Sequence, residues 1–233
     1  MIDIHTHILT NIDNGCIDYN DAGKIILQAK AQGVTDIVLT PHEGIFSKFT
    51  AEELIAKFKS FAKIFDKYGV ELYLGAEIDY SKDALVKVFY KSLLPINNTN
   101  IALIDFSKSK EDYHMLSAIQ EYKKHNIRII IAHTEIYDMS IKEIDRLKIA
   151  GAYIDVSAKA ILDKKYDKWI KEMLKERLID FVSSNIHSSK EEYLLKDAYQ
   201  KVLKLTNKDY ADLVFNRNAK NLLLKKGNAY FKR

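Results

Sequence analysis

The chain's 233 residues allow one large domain or two small ones and exclude a protein too short to build its own core. Hydrophobic residues make up 47% and charged residues 29%, with net charge +4. The lysines are interspersed with Glu and Asp, which reads as solvated surface and not as a nucleic-acid footprint. The single cysteine, Cys16, rules out an intrachain disulfide and fits a cytoplasmic location. No basic-then-apolar leader opens the chain, and no window nears the ~20 apolar residues of a membrane span.

Short apolar runs alternate with longer amphipathic segments. The first strand is expected at Ile2–Ile4, and a helix at Tyr19–Gln32 stops at Gly33. A strand at Asp36–Thr40 precedes a helix at Ala51–Tyr68, which Thr50 and Glu53 open as a capping box and Gly69 closes. Glu71–Gly75 is the third strand, and Lys82–Asn100 is the least regular stretch. Ile101–Phe106 and Arg128–Ala132 flank a helix at Tyr113–His125; Ala152–Val156 follows a helix at Ile141–Ala150 that ends at Gly151. Ile179–Ser183 is the seventh strand, between helices at Tyr166–Arg177 and Lys190–Leu205, and a last helix lies near Ala211–Leu224. Runs such as DIVLT, IALIDF and RIIIAH are apolar on both faces, as buried parallel strands are. Seven β-then-α units without a composition break predict a single domain, a closed or nearly closed parallel barrel over residues 1–233. An open doubly wound sheet is the rival arrangement.

The chain has seven histidines. Five stand where a predicted strand ends: His5, His7, His42, His133 and His187. Glu77 and Asp105 stand at equivalent places. His114 and His125 fall in or beside a helix. In a parallel barrel all strand C-termini emerge on one face, so these residues converge. A lone histidine after a strand is more often a cap, but five imidazoles and two carboxylates in one cup are costly to bury unless cations share their lone pairs. His5 and His7, two apart on a strand, point to the same side. Cys16 lacks the Cys-x5-Arg cradle of a thiol phosphatase and reads as incidental.

The spaced motifs MIDIHTH, Asp13-Asn14-Gly15, TPH, GAEI, ALIDFS, IAHTE and SSNIH resemble those of the PHP (polymerase and histidinol phosphatase) superfamily. The closest branch resembles the bacterial capsular and exopolysaccharide protein-tyrosine phosphatases. The likeness spans the chain and includes the terminal NRNAKNLL. It implies a distorted (β/α)7 TIM-like barrel of the PHP type and hydrolysis of phosphotyrosine on proteins. It also implies two or three divalent cations, Mn2+ first, with Fe, Zn or Mg as alternatives. The implied nucleophile is a metal-bound hydroxide, not a side chain. The implied substrate is the tyrosine-rich tail of a bacterial tyrosine kinase controlling polysaccharide export, and the family also implies a homo-oligomer.

Carried over by position, His5, His7, Glu77 and Asn185 hold one cation. Glu77 bridges to a second held by Asp105 and His133, and Asn14, His42 and His187 hold a third. The family usually has aspartate at Asn14 and Asn185, glutamate at Asp105, and arginine at Ile136; beyond the last histidine only Lys190 stands near a further family arginine. An amide is a weaker ligand than a carboxylate, so the alternative reading is a degenerate barrel that binds a partner with little catalysis. A PHP phosphatase for a small metabolite such as histidinol phosphate is a third reading.

Overall fold

The computed structural model describes residues 1–81, 83–90, 92–108 and 112–224. Among the described residues eight parallel strands run in chain order: β1 (Ile2–Thr6), β2 (Asp36–Leu39), β3 (Glu71–Leu74), β4 (Glu77–Asp79), β5 (Ile101–Asp105), β6 (Arg128–Ile131), β7 (Tyr153–Ser157) and β8 (Phe181–Ser183). They form two hydrogen-bonded sheets, β1-β2-β3 and β4-β5-β6-β7-β8. A bridge between His42 and Glu77 links the sheets at one seam, and a bridge between Thr6 and Ile186 links them at the other. The result is the distorted parallel ring that the doubly apolar strands predict. No helix among the described residues is long and apolar enough to cross a membrane.

The expected third strand, Glu71–Gly75, is observed as β3, and β4, which was not expected, follows it across Gly75–Ala76, which makes eight strands where seven were expected. β3 pairs with β2, and the chain then swings so that β4 pairs with β5, Glu77 opposite Leu103. At the break a Cβ on Gly75 would lie 3.1 Å from Ile96 Cα, so a side chain there would push against that backbone. The swing carries Glu77 inward.

The main helices are α1 (Tyr19–Ala31), α2 (Ala51–Phe65), α3 (Ala84–Phe89), α4 (Asp112–Lys124), α5 (Ile141–Ala150), α6 (Ala158–Leu162), α7 (Asp167–Lys175), α8 (Leu195–Leu205), α9 (Lys208–Asp212) and α10 (Asn218–Leu222). The Thr50/Glu53 capping box forms as expected, and Gly33, Gly69 and Gly151 follow their helices with positive φ. Two short helices, α3 and α6, were not expected. The first falls in the irregular stretch, of which Lys82 and Lys91 lie outside the described residues. The second is opened by Ser157, whose side chain accepts from Ala160 N. The expected helix from Lys190 begins only at Leu195, because Glu191 turns back and accepts from the N–H groups of His187 and Ser188, both at 3.0 Å. The last helix is expected at Ala211–Leu224 and observed from Lys208, with a π-helical turn at Leu213–Arg217 between α9 and α10.

Two apolar layers result. Ile37, Leu39, Ile104, Ile131 and Ile154 face the helices. Ile2, Ile4, Val38, Leu103, Ile130 and Phe181 fill the ring, with Ala219 and Leu223 of the C-terminal segment packed among them. Asn97 Nδ2 donates to Leu223 O at 2.8 Å and fastens that plug.

Candidate metal centre

Above the apolar fill, at the strand C-termini, the predicted residues meet. β1 carries a bulge: three steps from Asp3 to Thr6 oppose two from Ile37 to Leu39. The extra residue resets the alternation. Asp3 therefore bonds outward, to Ser184 N at 3.0 Å and Tyr193 OH at 2.5 Å. His5, two residues on, faces the interior with Ile4.

Glu77, 1% exposed, is the hub. Its Oε1 lies 2.7 Å from His133 Nε2. Its Oε2 lies 2.9 Å from His42 Nδ1, 3.3 Å from His5 Nε2 and 3.4 Å from His7 Nε2. Burial would raise the Glu77 carboxyl, but the surrounding imidazoles of His5, His133 and His42 hold it well below the usual range. Burial would depress the His5 imidazolium; Glu77 and Asp155 outweigh that and hold it at about 10. His42 and His133 are likewise raised, Glu77 overcoming their burial. His187 goes the other way: burial and the neighbouring His7 push it down to about 4. Its ring stacks on His7 at 4.0 Å, and its Nδ1 lies 3.0 Å from Asn185 O.

The remaining ligand candidates are held by their neighbours. Asp105 accepts from Tyr137 OH at 2.9 Å, from Ser107 N at 2.7 Å and from Ser107 Oγ at 2.8 Å. His133 has φ 32°, in the left-handed region. Asn185 donates its N–H to His5 O at 3.0 Å.

Among the described residues, three sets of ligand atoms lie within 4.8 Å of one another: His5/His7/Glu77, Glu77/Asp105/His133 and His7/His42/His187. The first two reproduce the histidine and carboxylate members of two expected sites. The third joins His7 to His42 and His187; Asn14, expected beside those two histidines, is exposed. Its neighbour Asp13 turns inward instead: Oδ2 lies 2.9 Å from His7 Nδ1 and accepts from His42 N at 3.0 Å. His7 drives the Asp13 carboxyl below its usual value, despite burial. Adjacent positions face apart, so only one of the pair reaches the cluster.

The donor set fits a divalent cation on one direct observation. His133 Nδ1 and Asn185 Oδ1 are buried side-chain atoms with no hydrogen-bond partner among the described residues. Buried polar atoms without partners are costly. Imidazole and carboxylate donors suit Mn, Fe and Zn alike.

Asp155, fully buried on β7, was not among the expected site residues. The run YIDVS hides it inside an apolar strand. A charge in such a run is the signal that could have flagged it, as it flagged Asp105. Cys16 is buried, and burial with nearby Asp21 raises its thiol, so it is no nucleophile. His125 lies near Glu121 and Phe89, away from the cluster.

The chain's relatives share this architecture. A solved structure described as YwqE of Bacillus subtilis and CpsB of Streptococcus pneumoniae, "unique metal-dependent tyrosine phosphatases", superposes with TM-score 0.85. It is 22% identical and covers 100% of this chain and 97% of its own. The tyrosine-protein phosphatase CpsB of Streptococcus agalactiae is 30% identical over 96% of this chain and 98% of its own length. The Streptococcus pneumoniae protein of the same name is 28% identical with the same coverage. The family described as "Capsular polysaccharide synthesis, CpsB/CapC" matches residues 1–224. The chain belongs to the CpsB/CapC family of capsular polysaccharide synthesis.

Proposed function

We propose that the chain is a metal-dependent phosphatase acting on phosphotyrosine in proteins, in the control of capsule or exopolysaccharide assembly. The observation that carries this reading is Glu77. Its two oxygens face separate donor sets, His133 and Asp105 on one side and His5 and His7 on the other. A carboxylate so placed would serve two cations, one with each donor set. His42 and His187 complete the rim with His7. Asn185 contributes its buried Oδ1, and Asn14, exposed on the first loop, stays the third site's expected amide ligand. These residues would hold divalent cations, Mn2+ in our reading, which would supply charge neutralisation at a phosphate and a more acidic water.

The protein's own groups keep that set in place. Asp13 at His7 Nδ1 leaves Nε2 turned toward Glu77. Tyr137 and Ser107 fix the Asp105 carboxylate. A groove of about 800 Å3 at the same end of the ring is lined by Phe46, Tyr80, Lys87 and Lys108 among others. In this reading it receives the substrate tyrosine and its flanking peptide; its lysines, Lys87 and Lys108, are held by Glu43 and Asp79 of the same groove. The kinase tail as substrate, the cytoplasm as location, a homo-oligomer and a single barrel domain over residues 1–233 belong to the same proposal.

The test is hydrolysis of a phosphotyrosine peptide with added Mn2+, and with Zn2+ and Fe2+ in parallel. Cation-dependent turnover is expected. A second reading rests on the all-imidazole third set, which has no carboxylate: a barrel that binds a partner with little catalysis. If Asn14→Asp with Asn185→Asp hydrolysed phosphate beside an inert parent, that second reading would replace the first.

A further inference from the structure

We propose that Asp155 is a positioning residue of the metal centre that acts through His5. The inference rests on the reading of the centre as a cation site. Asp155 is fully buried on β7. Its Oδ2 accepts from Ser183 Oγ at 2.9 Å and from His133 N at 3.4 Å, and these two anchors aim the carboxylate at His5. Oδ2 lies 3.7 Å from His5 Nδ1. Asp155 Oδ1 and His5 Nδ1 both lack hydrogen-bond partners among the described residues. His5 Nδ1 and the Asp155 carboxylate are thus buried groups that face each other a little beyond hydrogen-bond distance.

The chemistry gives that arrangement a purpose. The other nitrogen of His5, Nε2, faces Glu77 and His7 at 3.3 and 3.2 Å. An imidazole that offers Nε2 to a cation carries its proton on Nδ1. A carboxylate at Nδ1 fixes the tautomer and the ring plane and makes the ligand more basic. The second imidazole of the pair shows the same construction already closed, with Asp13 at 2.9 Å from His7 Nδ1. Each histidine of the His5–His7 pair is thus backed by one carboxylate. A buried charge on an apolar strand is otherwise expensive to keep.

The test is calorimetric titration of the full chain with Mn2+ and Zn2+, comparing the parent, Asp155→Asn, His5→Asn and the double variant. Circular dichroism checks that each is folded. Asp155→Asn is expected to weaken the affected cation about 10- to 100-fold. In the His5→Asn background the same change is expected to add less than about twofold, because its route is gone. Ser183→Ala, which removes one anchor, is expected to shift affinity in the same direction by less. Parent-like affinity in Asp155→Asn, or an equal loss in both backgrounds, overturns the proposal. If Asp155→Asn does not fold, Ser183→Ala decides, and parent-like affinity there overturns it. A parent that binds no cation at all contradicts the reading of the centre itself, which separates the two failures.

Discussion

At the scale of single residues, the charge of Glu77 organises the centre. It holds protons on His5, His42 and His133, and a cation must displace them. Affinity therefore rises with pH until the His5 value of about 10 is passed. Calorimetry in buffers of different ionisation enthalpy counts the protons: at least one released per cation at pH 7 is expected, and none would argue against this pairing. Stability follows the same linkage. The His5 pKa in the folded chain lies above its unfolded value, so the pairing with Glu77 stabilises the chain fully below about pH 6.5. That contribution is lost as pH rises through about 10. The sequence shows the histidines, Glu77 and Asp105 because their residue types are rare at strand ends. It does not show which of Asp13 and Asn14 turns inward, since that depends on the closing of one loop. The charge of Asp155 in an apolar run could be read, but its partners, from β8, β1 and the loop after β6, could not.

Elements decide where those residues point. The Asp13–Cys16 turn folds back on β1, with Gly15 N donating to Asp13 Oδ1 at 3.0 Å and Cys16 N to His7 O at 3.0 Å. A Cβ on Gly15 would sit 1.9 Å from His7 O, closer than atoms can approach. Gly15→Ala is therefore expected to displace Asp13 from His7 and to lower cation affinity at least about tenfold, the cost of losing such an outer partner. Titration checks it, and parent-like binding would contradict it. Thr50→Ala is the contrasting change: it removes the α2 cap and is expected to cost about 1 kcal/mol in chemical denaturation, with turnover unchanged. Helix caps are local patterns, so Thr50–Glu53 could be read directly. The β1 bulge and the break at Gly75–Ala76 could not, because each answers to a neighbouring strand or loop distant in sequence.

For the molecule as a whole, the ring separates a charged end from an apolar one. Convergence of residues from β1, β4, β5 and β6 on one face follows from parallel strands alone, which is why the centre could be anticipated before its geometry. The plug was less visible. The sequence marks the C-terminal helix but not its seat beneath Ile2 and Phe181. Leu223 is fully buried there, and Leu223→Ala is expected to cost about 2–5 kcal/mol in urea unfolding. Its distance from the donor atoms predicts unchanged cation affinity; a weakened affinity would mean that the two ends are coupled.

The most direct test of the central claim is hydrolysis of a phosphotyrosine peptide by the purified chain with Mn2+, beside His133→Ala. His133 meets Glu77 Oε1 at 2.7 Å and shares a donor set with Asp105. Its loss is expected to remove several kcal/mol of cation-borne stabilisation, and so to lower kcat/KM at least about 100-fold. Turnover in the variant equal to the parent's would contradict a cation-dependent reaction at Glu77, Asp105 and His133.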